Sequence, residues 1–332
     1  MTIDPVVVIG AGPVGLFSVF ACGMLGIPCY VIDTLKEAGG QCMALYPEKP
    51  IFDIPAYPAI TGKNLIEQLK EQAAPFKPRY FFQKEVQKLL PQKDGGFLVQ
   101  LSDQESLQAS AVLICTGGGQ FTPKRPPLKE IEDFEGSSIF YHITDPALFR
   151  NKRVLIAGGG DSALDWALEL STSAEVTLIH RRHQFKGQDH SQEKLQDAIA
   201  EGRIRLMVPF QLAGLKGQQG QLRAVLLVDD QEAVVEIETD YLLPFFGLDI
   251  QKSPFQDWGL DVEKGTLKID PATGQTNIPG IYGAGDCVTY PHKLKLILTG
   301  FAEACQAAHF IKKTSGQPYK FQHSTSKGVL GF

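Results

Sequence analysis

The chain has 332 residues, 43% of them hydrophobic and 21% charged, and its formal net charge is -5. This composition is ordinary for a globular protein, and the length suffices for two domains with buried cores, so a disordered chain is excluded. The negative balance provides no basic face for nucleic acid, which disfavours a polyanion-binding function.

The first predicted element is a strand that runs into a glycine motif. Four apolar β-formers at residues 6–9 precede Gly10, Gly12 and Gly15, which have the spacing G-x-G-x-x-G. In dinucleotide-binding units the first glycine permits a tight turn, the second lets the backbone approach a pyrophosphate, and the third lets the next helix pack closely. The N-terminus of that helix supplies N–H groups and positive dipole to the diphosphate.

The elements that follow give the motif its expected context. A helix is predicted over Leu16–Leu25 and a second strand over Cys29–Ile32, with Asp33 at the end of this strand. A carboxylate at this position accepts hydrogen bonds from the ribose of adenosine. The sequence therefore predicts dinucleotide binding, and a structural βαβ unit that binds no ligand is the alternative.

Residues 34–60 form a long irregular segment rich in proline and glycine. A loop of this length in a compact domain is more often functional than idle. Gly39 and Gly40 would let the backbone approach a ligand, and Tyr46 offers a flat ring to an aromatic cofactor, unless it is a half-buried core residue. The next predicted elements are a helix over Gly62–Phe76 and strands over Val86–Leu90, Phe97–Leu101 and Ala111–Thr116.

The opening pattern returns in the second half of the chain. A strand at residues 153–157 leads into Gly158, Gly160 and Ala163, which have the variant spacing G-x-G-x-x-A, and a helix and another strand follow. This repetition predicts a second dinucleotide-binding unit on the same plan.

The residues after that last strand carry the opposite charge. His180, Arg181 and Arg182 stand there, and Arg181 lies at the same spacing from its first glycine as Asp33 does in the first unit. Guanidinium groups favour a 2′-phosphate, whereas a carboxylate favours a free 2′-hydroxyl. The second unit is thus predicted to prefer NADPH to NADH, unless the arginines form only a solvated strand end.

The remaining elements complete the two units. Alternating residues over 204–245 predict a β-meander, and a strand within residues 278–286 delivers Asp286 to a turn of small residues before a helix over 302–313. Asp286 is placed either to accept a hydrogen bond from a ribityl hydroxyl or to cap a helix. Two units imply two nucleotides, and the simplest pair is FAD in the first unit with NADPH in the second.

The cysteines and the N-terminal segment predict a cytoplasmic protein. The six cysteines form no C-x-x-C pair and no metal-ligand spacing, which is typical of reduced cytosolic thiols, so no metal site is expected. Residues 5–32 carry no charged side chain. A glycine turn and two prolines divide this segment, so we predict a strand, turn and helix there and neither a membrane span nor a signal peptide.

Several motifs together resemble the flavoproteins of the thioredoxin reductase type, which bind two dinucleotides. They are VVVIGAGPVG at 6–15, GGQ at 39–41, VLIAGGGDSA at 154–163, HRR at 180–182 and YGAGD at 282–286. Three more motifs narrow the resemblance to the thioredoxin-reductase-like ferredoxin–NADP⁺ reductases: LYPEK at 45–49, GGGDSALDWAL at 158–168 and HSTS at 323–326. The resemblance runs nearly from end to end of the chain.

The resemblance implies an α/β fold with two Rossmann-like domains, each with a three-layer ββα character and a β-meander. Residues 1–117 and 247–332 would form a discontinuous FAD-binding domain, and residues 118–246 the NADPH-binding domain. A C-terminal extension from about residue 315 would cover the flavin of the partner subunit, which implies a homodimer.

The resemblance also implies which residues contact the nucleotides. Tyr46 would stack on one face of the isoalloxazine ring and His323 on the other, with no acid or base role. The other expected FAD contacts are Gly10, Gly12, Val14, Gly15, Asp33, Gln41, Val86 through its backbone, Phe121, Asp286 and Ser326. The expected NADPH contacts are Gly158, Gly160, Asp161, Ser162, Ala163, His180, Arg181 and Arg182. The chain departs from the family in having Asp33 where Glu is usual and Cys42 where an aliphatic residue is usual.

The chain also lacks the cysteine pair that related disulfide-using enzymes have. Thioredoxin reductases carry a C-x-x-C in the NADPH domain, but residues 136–150 contain no cysteine. Glutathione-reductase-like enzymes have two cysteines after the first Gly-Gly, whereas Pro47 stands where the partner of Cys42 would fall. A dithiol relay is therefore excluded, and electrons are expected to leave the flavin ring directly.

The implied enzyme passes a hydride between NADPH and FAD and single electrons between FAD and ferredoxin or flavodoxin. Residues 285–332 contain six lysines, among them Lys293 and Lys295, against two acidic residues, a balance that would either steer an acidic ferredoxin or belong to an ordinary solvated surface. Two other functions stay open: an NADPH diaphorase that reduces a quinone, oxygen or another acceptor, and a flavin or nucleotide sensor without catalysis. The acceptor that gives the highest turnover distinguishes a diaphorase from a ferredoxin reductase. Failure of NADPH to bleach the flavin would indicate a sensor.

Overall fold

A computed structural model gives the fold of the chain. It describes residues 4–93, 95–119, 121–143, 145–187, 189–250 and 253–321, and at positions 121, 189 and 250 it describes the backbone alone. The chain divides into two compact units: unit 1, formed by Met1–Gln120 and Ile250–Phe332, and unit 2, formed by Phe121–Asp249. Both boundaries lie close to the ones predicted from the sequence. Which nucleotide each unit binds remains a prediction.

The helices and strands have the following bounds. The α-helices are α1 Pro13–Met24, α2 Gly40–Ala44, α3 Gly62–Ala73, α4 Asp161–Leu170, α5 Asp189–Ala200 and α6 Ile297–Thr314. The strands up to the end of unit 2 are β1 Val6–Ile9, β2 Cys29–Asp33, β3 Pro50–Ile51, β4 Ile60–Thr61, β5 Arg79–Phe82, β6 Val86–Pro91, β7 Phe97–Leu101, β8 Ser106–Ala109, β9 Ala111–Ile114, β10 Phe121–Pro123, β11 Arg153–Ala157, β12 Glu175–Ile179, β13 Ile204–Met207, β14 Gln211–Gln218, β15 Gln221–Val228, β16 Val234–Glu238, β17 Tyr241–Pro244 and β18 Leu248–Ile250. The last strands are β19 Val262–Glu263, β20 Thr266–Lys268, β21 Ile281–Gly283 and β22 Val288–Thr289. Within the described ranges, no helix combines the length and the apolar character needed to cross a bilayer.

Unit 1 is built around a parallel sheet with the strand order β21-β9-β1-β2-β5. Successive side chains of β1 point to opposite faces, so Val6 and Val8 pack with helices α1, α3 and α6, whereas Val7 and Ile9 pack with the antiparallel strands β6, β7 and β8. A strand covered on both faces has no solvent-facing position, which explains why all four residues are apolar.

Unit 2 repeats this plan with a parallel sheet in the order β13-β12-β11-β17. Val154 and Ile156 of β11 pack with helices α4 and α5, whereas Leu155 and Ala157 pack with the antiparallel strands β14, β15 and β16. The strands β11, β12, β13 and β17 therefore take the places of β1, β2, β5 and β9. The prediction of two Rossmann-like units, each with helices, a parallel sheet and a meander, is confirmed.

Four helices differ from their predicted extent. Helix α3 ends at Ala73 instead of Phe76, because the last three predicted residues form a 3₁₀ turn. Helices α1 and α4 begin directly after their N-caps Gly12 and Gly160, whereas the sequence predicts that they start at Leu16 and Ala163. Helix α6 begins at Ile297 instead of 302, and Gly300 lies inside its first turns. A Cβ at Gly300 would lie 2.5 Å from Cγ2 of Val14, so this glycine allows α6 to pack closely against α1.

Further elements were missed or misplaced by the sequence prediction, among them α2, β5 and β8, where no helix or strand was predicted. The predicted meander over 204–245 was too long, because β13 and β17 at its two ends belong to the parallel sheet of unit 2. Helix α5 was not predicted, because most of its residues are polar. It contributes Leu195 and Ala198 to the core.

Candidate functional site

The glycine loop of unit 1 contains two kinds of glycine. A Cβ on Gly15 would lie 1.9 Å from the carbonyl oxygen of Gly10, and a Cβ on Gly10, whose φ is +103°, would lie 2.4 Å from the carbonyl oxygen of Cys115. Gly12 differs, because the nearest atom to its Cβ position is the Cα of Gly40 at 3.9 Å and its φ of -71° suits any residue. The fold therefore requires Gly10 and Gly15, while the space beside Gly12 is open.

The glycine loop of unit 2 shows the same division. A Cβ on Gly158 would lie 2.7 Å from the carbonyl oxygen of Phe245 and 2.9 Å from the Cβ of Ala163. Around the Cβ position of Gly160, no atom of the described residues lies within 4 Å, and φ is -101°. In both loops the surrounding protein does not require glycine at the middle position of the motif, which is Gly12 in unit 1 and Gly160 in unit 2. This is where a pyrophosphate would approach the backbone.

Asp33 holds the first glycine loop in place. Its Oδ2 accepts a hydrogen bond from the backbone N of Ala11 at 2.6 Å, and its Oδ1 accepts one from the N of Leu35 at 2.8 Å. Burial raises the pKa of this carboxyl, and the backbone donors oppose the shift. Each carboxylate oxygen has a second lone pair, so Asp33 retains acceptor capacity for a ribose hydroxyl.

The loop after β2 lies against the same glycine loop. The N of Gly39 donates to the carbonyl oxygen of Ala11 at 2.9 Å, and a Cβ on Gly40 would lie 3.0 Å from the Cα of Gly12. The next residue, Gln41, places its Nε2 3.2 Å from the Cβ position of Gly118. The structure thus places Gly40 against Gly12 and Gln41 against Gly118, which was not among the predicted contacts.

Tyr46 and Asp286 belong to one neighbourhood, although they are far apart in the sequence. Burial raises the pKa of the Tyr46 phenol, and Cys42 and Asp286 raise it further. The Cys42 thiol lies near enough to the phenol for each group to affect the pKa of the other, and burial raises the pKa of the thiol to about 11. Both groups are therefore neutral at pH 7, while Asp286 is close enough to interact with the phenol through its charge.

The turn that carries Asp286 is fixed from two sides. The N of Ala284 donates to the carbonyl oxygen of Ile114 at 3.0 Å, and the N of Gly285 donates to Oε2 of Glu303 at 2.8 Å. Val14 lies within 3.3 Å of the Cβ position of Gly285. The predicted residue Val14 therefore packs against the turn that carries Asp286, where α1 and α6 also meet. The role of Glu303 depends on a contact across the fold and was not predicted.

The cationic loop of unit 2, residues 180–187, folds back over the glycine loop at residues 158–163. The backbone N of Lys186 donates to the carbonyl oxygen of Gly159 at 2.7 Å, and the ring of His180 stacks on Phe185 with centroids 5.3 Å apart. Burial lowers the pKa of His180, and Arg181, Arg182 and Lys186 lower it further, so its ring is neutral at pH 7.

The cations of this loop are directed to solvent. Arg181, Arg182 and Lys186 are all exposed, as is Ser162 in the first turn of α4. Asp161, the first residue of α4, places Oδ1 3.4 Å from the Cβ position of Gly187. Lys186 was missed by the sequence analysis, which stopped at the two arginines. A third cation four residues after Arg182 was the available signal.

Four other predicted contacts have a different standing. Val86 is buried at the start of β6, beside Lys84, whose N donates to the carbonyl oxygen of Asp33 at 3.1 Å. The side chain of Phe121 and the residues His323 and Ser326 lie outside the described part of the chain. Their proposed contacts with FAD stay predictions.

Comparison with known proteins places the chain in a family. The sequence pattern of the pyridine nucleotide-disulphide oxidoreductases matches residues 4–309, which include both glycine loops and the turn at Asp286. The chain belongs to this family.

Close relatives of this pyridine nucleotide-disulphide oxidoreductase carry a more specific name. A ferredoxin–NADP reductase of Paramagnetospirillum magneticum is 48% identical over 326 residues, which cover 97% of each chain. The ferredoxin–NADP reductase of Rhodospirillum rubrum is 47% identical and covers 98% of this chain and 96% of its own length. That of Rickettsia akari is 47% identical, with 97% of each chain covered.

Solved structures support the fold of this oxidoreductase. Thioredoxin reductase from T. acidophilum is 24% identical, with a TM-score of 0.74 over 95% of this chain and 99% of its own. The Lactococcus lactis enzyme is also 24% identical, with a TM-score of 0.73 over 94% and 99%. The family name refers to a disulphide, but the six cysteines of this chain are all free thiols, and five of them are buried.

Proposed function

We propose that the chain is a ferredoxin–NADP⁺ reductase that holds FAD in unit 1 and NADP(H) in unit 2. The names of relatives at nearly half identity over nearly full length support this proposal. The main support is that each unit has a glycine, Gly12 or Gly160, with open space beside its backbone. At the same spacing after these glycines the two units carry side chains of opposite charge, Asp33 and Arg181.

The residues of unit 1 suit FAD. The open backbone at Gly12 and the N-terminus of α1, whose first turn has no acidic side chain, would receive the diphosphate. Asp33 would accept from the adenosine ribose, and Gln41 and Asp286 would bond the remaining polar groups. Tyr46 would stack on the flavin ring.

The residues of unit 2 suit NADP(H). The backbone at Gly158 and Gly160 and the first turn of α4 would receive the diphosphate, with Asp161, Ser162 and Ala163 forming the wall of the loop. Arg181 and Arg182 would bind the 2′-phosphate through charge-assisted hydrogen bonds, each worth about 1.5–3 kcal/mol. The neutral ring of His180 would supply a flat surface beside them.

When bound, FAD would supply the chemistry that unit 1 lacks, namely acceptance of a hydride from NADPH and release of single electrons to an acceptor. The chain's own residues bind and orient the two nucleotides. Burial raises the pKa of the Tyr46 phenol, so it is neutral at pH 7, and its role here would be to stack on the flavin ring. Cys42 is likewise held as a neutral thiol, which makes it a poor nucleophile.

The acceptor is proposed to be ferredoxin or flavodoxin, and the protein a cytoplasmic homodimer in which His323 of one subunit covers the flavin of the other. One part of the expected docking surface is wrong: the ammonium of Lys293 is buried in an ion pair with Glu303 at 2.6 Å. Lys295 is exposed and remains available for an acidic carrier.

An acceptor comparison tests this function. The purified protein is expected to carry FAD, and NADPH is expected to bleach its absorbance in a stopped-flow experiment faster than NADH. Oxidised ferredoxin or flavodoxin is expected to give the highest turnover among the acceptors. A higher turnover with a quinone or with oxygen would indicate a diaphorase instead. A flavin that NADPH does not bleach would indicate a sensor.

Replacement of the one cysteine beside Tyr46 tests the absence of a dithiol relay. Cys42→Ser keeps a small polar side chain beside Tyr46 and removes the sulfur. We expect the variant to keep at least about half of the NADPH-dependent turnover, because a buried thiol with a pKa of about 11 takes no part in exchange at neutral pH.

Thiol counting provides the control for this variant. Titration of thiols in the denatured wild-type protein, before and after NADPH reduction, is expected to give the same number. Two additional thiols after reduction, or a loss of turnover of more than about tenfold in Cys42→Ser, would contradict direct electron transfer from the flavin.

A further inference from the structure

Glu303 is a charged residue in the interior of unit 1. It lies within α6 and is 4% exposed, and among the described residues it is the one acidic or basic residue that is fully buried as a whole. Burying a carboxylate is costly unless donors satisfy both of its oxygens. Its surroundings therefore show what the fold gains from it.

Each oxygen of Glu303 has its own set of donors. Oε2 accepts from the backbone N of Gly285 at 2.8 Å, while Oε1 accepts from the hydroxyl of Tyr290 at 2.5 Å and from Nζ of Lys293 at 2.6 Å. Burial raises the pKa of Tyr290 to about 12, and Glu303 adds to this shift, so the phenol is a donor at neutral pH. The carboxylate thus ties the turn at Gly285 to α6 and to the segment at residues 290–293.

The bond to Gly285 sets the direction of the next residue. Gly285 has a φ of +87°, and α6 approaches it so closely that a Cβ on Gly300 would lie 3.1 Å from its Cα. With the N–H of Gly285 turned toward Glu303, Asp286 is half-exposed and near enough to Tyr46 to raise the pKa of that phenol. The turn thus connects Glu303, which holds the N–H of Gly285, with Asp286, whose charge acts on the Tyr46 phenol.

We propose that Glu303 is a positioning residue for FAD: it holds the peptide N–H of Gly285 and thereby fixes Asp286 where the ribityl chain of the flavin would bind. Lys293 and Tyr290 complete the acceptor capacity of the carboxylate, which allows it to be buried. This inference rests on the proposed function, because it requires FAD to bind beside Asp286.

A double-mutant cycle on FAD affinity tests the proposal. In wild-type protein, Asp286→Asn is expected to raise the dissociation constant of FAD about tenfold, and Glu303→Gln is expected to raise it by a similar factor. Because Glu303 acts through Asp286, the double variant is expected to bind FAD no more than about twofold more weakly than the weaker single variant. Flavin fluorescence during titration of the apoprotein measures each constant.

A matched control separates positioning from a general loss of stability. Asp240→Asn breaks an ion pair in unit 2, where Asp240 accepts from Nη2 of Arg153 at 2.8 Å, and it leaves Gly285 untouched. This variant is expected to lower the unfolding temperature while the FAD dissociation constant stays within about twofold of wild type. If Glu303→Gln fails to fold, the double variant Glu303→Gln with Lys293→Gln, which leaves no unpaired charge, takes its place in the cycle.

The outcomes distinguish failure of the positioning role of Glu303 from failure of the proposed flavin site. FAD affinity that is unchanged in Glu303→Gln, or effects of Glu303→Gln and Asp286→Asn that multiply in full, would overturn the positioning role alone. Wild-type protein that does not bind FAD, or an Asp286→Asn variant with unchanged affinity, would overturn the proposed flavin site and this inference with it.

Discussion

Gly12→Ala is expected to lose FAD while unit 1 stays folded. The new Cβ would meet no protein atom closer than 3.9 Å, and the φ of Gly12 suits alanine, so the cost to folding is about 1 kcal/mol, as for other N-cap substitutions. A diphosphate that approaches this backbone would collide with the methyl group. We expect FAD to bind about a hundredfold more weakly, measured by flavin fluorescence, with an unchanged circular dichroism spectrum.

Two variants serve as controls for this result. Gly15→Ala places a Cβ 1.9 Å from the carbonyl oxygen of Gly10 and is expected to destabilise unit 1 by more than about 3 kcal/mol with or without FAD. Gly160→Ala is the counterpart in unit 2, where it is expected to weaken NADPH binding and leave FAD bound. Equal loss of both nucleotides in either middle-glycine variant, or full retention of both, would contradict the assignment of one nucleotide to each loop.

Replacement of both arginines of the cationic loop is expected to abolish the preference for NADPH. Arg181→Ala and Arg182→Ala each remove a guanidinium that would bind the 2′-phosphate, at about 1.5–3 kcal/mol per charge-assisted bond. Each single variant should lower kcat/KM for NADPH about tenfold to a hundredfold, and the double variant more than a hundredfold. Values for NADH should change by less than about threefold, because NADH lacks the 2′-phosphate.

Arg203→Ala is the matched control for the arginine variants. Arg203 is an arginine of unit 2 that donates to Oε2 of Glu201 at 2.6 Å and has no place in the cationic loop. Its replacement should leave the ratio of kcat/KM for NADPH and NADH unchanged. Equal losses for the two nucleotides in the Arg181 and Arg182 variants would show that the arginines support the loop and do not recognise the 2′-phosphate.

The fold and the two loops could be predicted because their signals are short-range. A buried strand, a turn that tolerates glycine alone and the start of a helix follow one another within ten residues at Gly10 and again at Gly158. Spacing along the chain also indicated Asp33 and Arg181, because both follow the strand next to the glycine loop.

Contacts across the fold could not be predicted in the same way. Lys293 lies among other lysines in a segment that looks solvated, and only the packing of α6 shows that it pairs with Glu303. Helix α5 was missed because its sequence is polar, and it is stabilised by a few core residues and not by a continuous apolar face. In both cases the deciding interaction joins residues that the local pattern treats as surface.

The interruption of unit 1 by unit 2 has a consequence for the order in which the chain folds during synthesis. Unit 2 is continuous, so all of its strands have left the ribosome once residue 249 has emerged. Unit 1 begins first, but its sheet needs β21 and its helical layer needs α6, both from the last part of the chain. Although domains usually fold in order from the N-terminus, here the later unit is complete while the earlier one still lacks an edge strand and a helix.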